Sequence, residues 1–114
     1  MTVQEPTPLH PRPSPPQVAF DRTELSVILS VYGRMVAAGE WRDYAMSFLR
    51  NVAVFSVFRR ATETPLYRIE KRPALRNKQG LYAVIAMDGR VLKRGSDLRQ
   101  VLYVLERKLI RPVD

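Results

Sequence analysis

Apolar residues recur along the chain with two different periods, and the change of period divides it into elements. Leu25, Ile28, Leu29, Tyr32 and Val36 follow at intervals of three and four, which gathers them on one face of a helix. Asp21-Arg-Thr-Glu24 stands just before them and has the form of a capping box. Gly39 supplies the left-handed residue that follows a helix end, so a first helix is expected over about 22–38. Gly33 inside it is a modest weakness that would permit close packing. Tyr44, Phe48 and Leu49 suggest a short second helix over about 43–50, with Trp41 wedged between the two helices and a sheet.

Beyond Asn51 the period shortens. Val52–Phe58 is rich in β-branched and aromatic residues, and Leu66–Arg72 alternates, with Tyr67 and Ile69 on one face and Arg68, Glu70 and Arg72 on the other. Leu81–Met87 is a further strand, and Asp88-Gly89 is a favoured hairpin dipeptide that returns the chain through Arg90–Arg94. Ser96 would cap a last helix whose apolar stripe is Leu98, Val101, Leu102, Leu105 and Leu109. The reading is therefore α+β. It has an antiparallel sheet of three to four strands, with N-terminal helices and a C-terminal helix packed on one face.

Six of the nine prolines fall within the first sixteen residues. Proline donates no backbone hydrogen bond and restricts the residue before it, so residues 1–20 are expected to form a disordered leader and residues 21–112 a single domain. The start lacks the basic and apolar regions of a secretory signal, and no apolar run approaches the length of a membrane span. A cytoplasmic protein without membrane contact is expected.

Composition narrows the chemistry further. There is no cysteine, and the one histidine, His10, lies in the proline-rich segment. Disulfides, thiolate zinc sites and cysteine nucleophiles are excluded, and a histidine-based triad or metal site would depend entirely on His10, in a segment expected to be too mobile to orient it. The carboxylates are scattered, and neither Gly33/Gly39 nor Gly89/Gly95 leads into the Lys-Ser/Thr of a phosphate loop. The expectation is a binding protein rather than an enzyme, with no catalytic residue, no metal and no cofactor.

The net charge of +8 is unevenly distributed. Residues 21–58 carry four basic and four acidic side chains, whereas residues 59–94 carry ten basic and three acidic ones. A surface built only for solubility mixes its signs, while one-sided positive charge attracts polyanions. Nucleic acid is therefore the expected partner, DNA or RNA, bound through a basic sheet face and the 72–78 loop. Candidate phosphate contacts are Arg59, Arg60, Arg68, Lys71, Arg72, Arg76, Lys78, Lys93 and Arg94, with Tyr67 and Tyr82 as stacking rings. The alternative is an adaptor for an acidic protein or a homodimer, with Val52–Phe58 paired across a subunit interface.

The layout is similar in topology to phage-type integrase arm domains and to double-stranded-RNA-binding domains. Where the latter place lysines at the start of the last helix, this chain has Ser96-Asp-Leu-Arg99. A closer resemblance runs through Ile28–Tyr44, Ala53–Arg60, Pro65–Pro73 and Leu92–Gly95. These stretches resemble a family of small alphaproteobacterial proteins of unknown function, over about residues 21–110. The resemblance implies a bacterial cytosolic setting and a single domain, and it carries no activity or site residues.

Overall fold

Two helices and five strands follow one another. They are α1 (Arg22–Ala37), β1 (Asp43–Phe48), β2 (Ala53–Phe58), β3 (Tyr67–Lys71), β4 (Tyr82–Ala86), β5 (Val91–Gly95) and α2 (Leu98–Glu106), with one 3₁₀ turn at Pro73–Leu75. The computed structural model describes residues 16–60 and 64–107. The leader up to residue 15, His10 in it, and Leu109 of the last apolar stripe lie outside the described residues.

The first helix begins as the capping box dictates. Glu24 N donates to Asp21 Oδ1 and Asp21 N to Glu24 Oε1, both at 2.8 Å. Gly39, at φ +78°, takes the left-handed turn after the helix. The buried face is rotated from the expected one: Val27, Ile28, Val31 and Met35 enter the core, together with Glu24. Leu29 and Val36 stay 42% and 40% exposed. No atom lies within 4 Å of where a Cβ on Gly33 would stand, so this glycine serves no close packing. At the other helix the cap is Asp97 rather than Ser96, and its carboxylate accepts from Gln100 N.

The expected second helix is a strand. Tyr44 and Phe48 are four residues apart, a spacing that satisfies both a helical turn and a strand face. Met46, midway between them, decides for the period of two, since the large residues Tyr44, Met46 and Phe48 alternate with Asp43, Ala45 and Ser47. β1 pairs with β2 along its whole length, Tyr44 opposite Val57, Met46 opposite Phe55 and Phe48 opposite Ala53. Five strands replace the expected three to four, in the order β1-β2-β3-β4-β5 with every neighbouring pair antiparallel. β2 is thus paired on both edges within the chain, which leaves neither edge for a subunit interface.

Both helices cover the same sheet face. Ala53, Phe55 and Val57 of β2, Ile69 of β3 and Val84 of β4 meet Ile28, Met35, Val101, Leu102 and Leu105 in one fully buried cluster. Trp41 joins that core at 2% exposure, its ring beside Tyr32 and Tyr67 rather than between two helices and the sheet. The boundary expected at residue 20 falls inside packed structure. Phe20 is buried against Phe48, and Val18 N donates to Leu49 O at 2.8 Å. Among the described residues no helix covers the opposite face of the sheet.

Candidate functional site

The ladder register assigns every strand residue to one face. Tyr67, Ile69 and Lys71 of β3 lie opposite Val57, Phe55 and Ala53, and therefore on the helix side. Arg68 and Glu70, opposite Ser56 and Val54, lie on the helix-free side. Arg72 joins them there, as the period of two requires. Its Nε sits 3.0 Å from Glu70 Oε1, while Arg68 Nε sits 3.6 Å from Glu70 Oε2. On β5, Arg94 lies opposite Ala83, which is itself opposite Glu70. Two arginines thus flank one carboxylate on the helix-free face, and Arg94 lies on the same face two strands away.

That face has an apolar floor. Ala83 and Ile85 point away from both helices, yet they are 0% and 4% exposed. Their ladder neighbours are Arg94 and Arg68, whose stems are long enough to lie across them. Arg94 Nη1 is buried and has no hydrogen-bond partner among the described residues.

Two of the expected contacts belong to the interior instead. Lys71 Nζ donates to Glu24 Oε1 and to Ala19 O, both at 2.8 Å, and its side chain is only 14% exposed. Tyr82, opposite Lys71, is 8% exposed and donates its hydroxyl to the second oxygen of Glu24. The expectation that Tyr82 shares a face with Arg68 and Arg72 is therefore wrong by one position in register. Tyr67 also faces the helix side, 6.5 Å from the Trp41 ring, and borders a cavity with Leu66, Ala86 and Met87. Neither tyrosine stands beside the arginines as a stacking ring.

Burial, and then the bond to Glu24, push the Tyr82 hydroxyl well above its ordinary range. The neutral phenol is favoured more in the folded than in the unfolded chain. This stabilisation is complete below the unfolded value of about 10 and is lost as pH climbs beyond it toward the folded value. Tyr32 is shifted the same way, first by burial and then by Asp43. Denaturant titrations should show stability falling as pH rises through about 10. Tyr82→Phe should remove part of that fall and leave the part due to Tyr32. An unchanged alkaline slope in the variant would show that Tyr82 does not carry it.

The remaining cations sit at the ends of the sheet. Arg59 and Arg60 follow β2 and, with Arg42 and Asp43, line a cavity of about 320 Å³. Arg42 was not legible as a partner of these two, because it belongs to the neutral half of the sequence. Only the pairing of Asp43 with Phe58 brings it alongside. Arg76 and Lys78 stand exposed at the other end, in a loop fixed by three amides that converge on Leu75 O, from Lys78, Gln79 and Gly80. Lys93 is exposed on the outer strand β5 but lies opposite Val84, on the helix side and not on the face of Arg68 and Arg72. Among the described residues no group of His, Asp and Glu side chains is arranged to hold a metal ion. No described helix is long and apolar enough to cross a membrane.

These features define a class: an α+β protein on a five-stranded antiparallel meander, with helices on one sheet face and arginines on the other. Within it, the chain belongs to the family described as Protein of unknown function (DUF2794), whose model matches residues 18–102. The match begins at Val18, whose amide donates to Leu49 O at the end of β1. No curated protein and no solved structure matches the chain.

Proposed function

We propose that this is a non-enzymatic, cytoplasmic binding protein that holds a strand of DNA or RNA against the helix-free face of its sheet. The observation that carries the reading is the pairing of Arg68 and Arg72 beside Glu70, with Arg94 two strands away on the same face, the one that no described helix covers. Arg59 and Arg60 extend the positive surface beyond one end of the strands, and Arg76 and Lys78 beyond the other. Phosphates supply the contact, and the arginine forks match their geometry. Lys71, Tyr67 and Tyr82, assigned to the helix side, take no part.

Fluorescence anisotropy with labelled single- and double-stranded oligonucleotides tests this directly. For about four phosphate contacts, affinity should fall between about 50- and 150-fold from 50 to 200 mM salt. Arg68→Glu with Arg72→Glu should weaken binding at least about tenfold across sequences and flatten the salt slope. Arg99→Glu, which reverses one charge on α2 on the helix side, should weaken binding much less than Arg68→Glu alone. Binding that ignores salt, or that the Arg99 change weakens as strongly, would remove the reading.

A further inference from the structure

The two edges of the sheet are treated differently. At the β5 edge stand Lys93 and Arg94, and the ladder to β4 slips in register between Val84 and Ile85. Charges and bulges of this kind prevent a sheet from adding strands. The β1 edge has no break in register, and its charges stand only at the two ends, Arg42 and Asp43 at one and Arg50 at the other. From Tyr44 to Leu49 it contains no charge and no proline, and its pairing with β2 is unbroken over six positions.

Its free backbone groups can be identified. Leu49 N donates to Val52 O. The alternation of antiparallel bonding then turns the amides and carbonyls of residues 43, 45 and 47 toward β2, while Leu49 O accepts from Val18 N. Those of Tyr44, Met46 and Phe48 point outward, where no strand pairs with them among the described residues. Beside them lies an apolar shelf. Tyr44 and Met46 are 41% and 40% exposed, and the unburied stripe of α1, Leu29 and Val36, is exposed to the same degree. The shelf is preorganised, with Tyr44 stacked on Phe55 at 4.8 Å and met edge-on by Tyr32 at 5.0 Å.

We propose that β1 pairs with β1 of a second copy of this chain, in antiparallel register about a two-fold axis at Met46, to form a continuous ten-stranded sheet. The outward set is symmetric, aromatic–Met–aromatic. A two-fold at Met46 lays Tyr44 opposite the partner's Phe48 and Met46 opposite its own copy, all on the same face, with the helices of both copies on one side. Charge permits the approach. Each copy carries +8, but the excess lies in residues 59–94, and residues 21–58 are neutral. A specific interface buries at least roughly 1,000 Å² over both copies, and the strand edge with the half-exposed side chains beside it is the surface each copy offers toward it. The prolines of the leader lack the amide hydrogens that such an edge requires, so that segment is a poor occupant.

Sedimentation velocity on the full chain without nucleic acid tests the proposal separately from the function proposed above. A monomer–dimer equilibrium with Kd in the micromolar range is expected, roughly what an interface of this size sustains. Met46→Lys places two ammonium groups face to face at the axis and should weaken the dimer at least about tenfold. Met46→Pro removes an amide that only the dimer uses and should do the same, with the thermal midpoint of the monomer showing that the fold survives. Val91→Lys, on the opposite edge, should leave the equilibrium unchanged. A monomer at all concentrations overturns the proposal, as does a dimer that survives both Met46 variants. A dimer that appears only after residues 1–15 are removed overturns it too, by assigning the edge to the leader.

Discussion

Glu24→Ala should lower the thermal midpoint by about 10–20 °C, the largest effect expected of any single polar substitution in this protein. The carboxylate has three partners at once: the amide of Asp21, the ammonium of Lys71 and the hydroxyl of Tyr82. Removing it leaves Lys71 nearly buried with only the carbonyl of Ala19 as acceptor. An orphaned buried charge typically costs about 3–5 kcal/mol, which sets the size of the shift. Glu24→Gln keeps an acceptor for Tyr82 but not the charge, and should fall between the two. Combining Glu24→Gln with Lys71→Met should recover much of the loss, because the unpaired cation is then gone. A fall of only a few degrees for Glu24→Ala would mean that Lys71 finds water.

Gly80→Ala is the second substitution with a large expected cost. Gly80 lies at φ +117°, and a Cβ there would stand 2.7 Å from the Cα of Gly95. Both terms act on backbone, which cannot rotate away as a side chain would. The expected loss is about 2–4 kcal/mol, read as a lower urea midpoint with unchanged slope. Gly33→Ala is the natural comparison. It has open space around it in the middle of α1 and should gain up to about 1 kcal/mol. Equal effects at the two positions would contradict the close approach of the 72–81 loop to β5.

The sequence announces elements more clearly than faces. The capping box, Gly39, the strands after Asn51 and the Asp88-Gly89 hairpin are local chemistry, and each appears where the local chemistry puts it. The helix expected at 43–50 fails because a spacing of four residues is common to both periods, and only Met46 separates them. On α1 the apolar arc is wider than the core needs, and Glu24, held inward by Lys71 and Tyr82, sets which part is buried. The candidate surface was legible as a charge count but not as a map. A strand's two faces differ by one residue of register, and this alone moves Lys71, Tyr67 and Tyr82 to the helix side while leaving Arg68 and Arg72 outside. The arginines that meet at the strand ends, Arg42 with Arg59 and Arg60, are separated by a hairpin that the sequence did not reveal.

The strand order has a kinetic consequence. Each strand bonds only to its neighbours in the chain, so the sheet can close as a series of hairpins with little loop entropy to overcome. The helices cannot form their share of the core so early. α1 precedes every strand, α2 follows every strand, and they rest on each other and on the same sheet face. Their docking is the step with long sequence separation. Glu24 and Arg34 on α1 wait for Lys71, Tyr82 and Glu106 to arrive. Substitutions in the hairpins should therefore slow folding, whereas those at Glu24 and across the two helices should chiefly hasten unfolding.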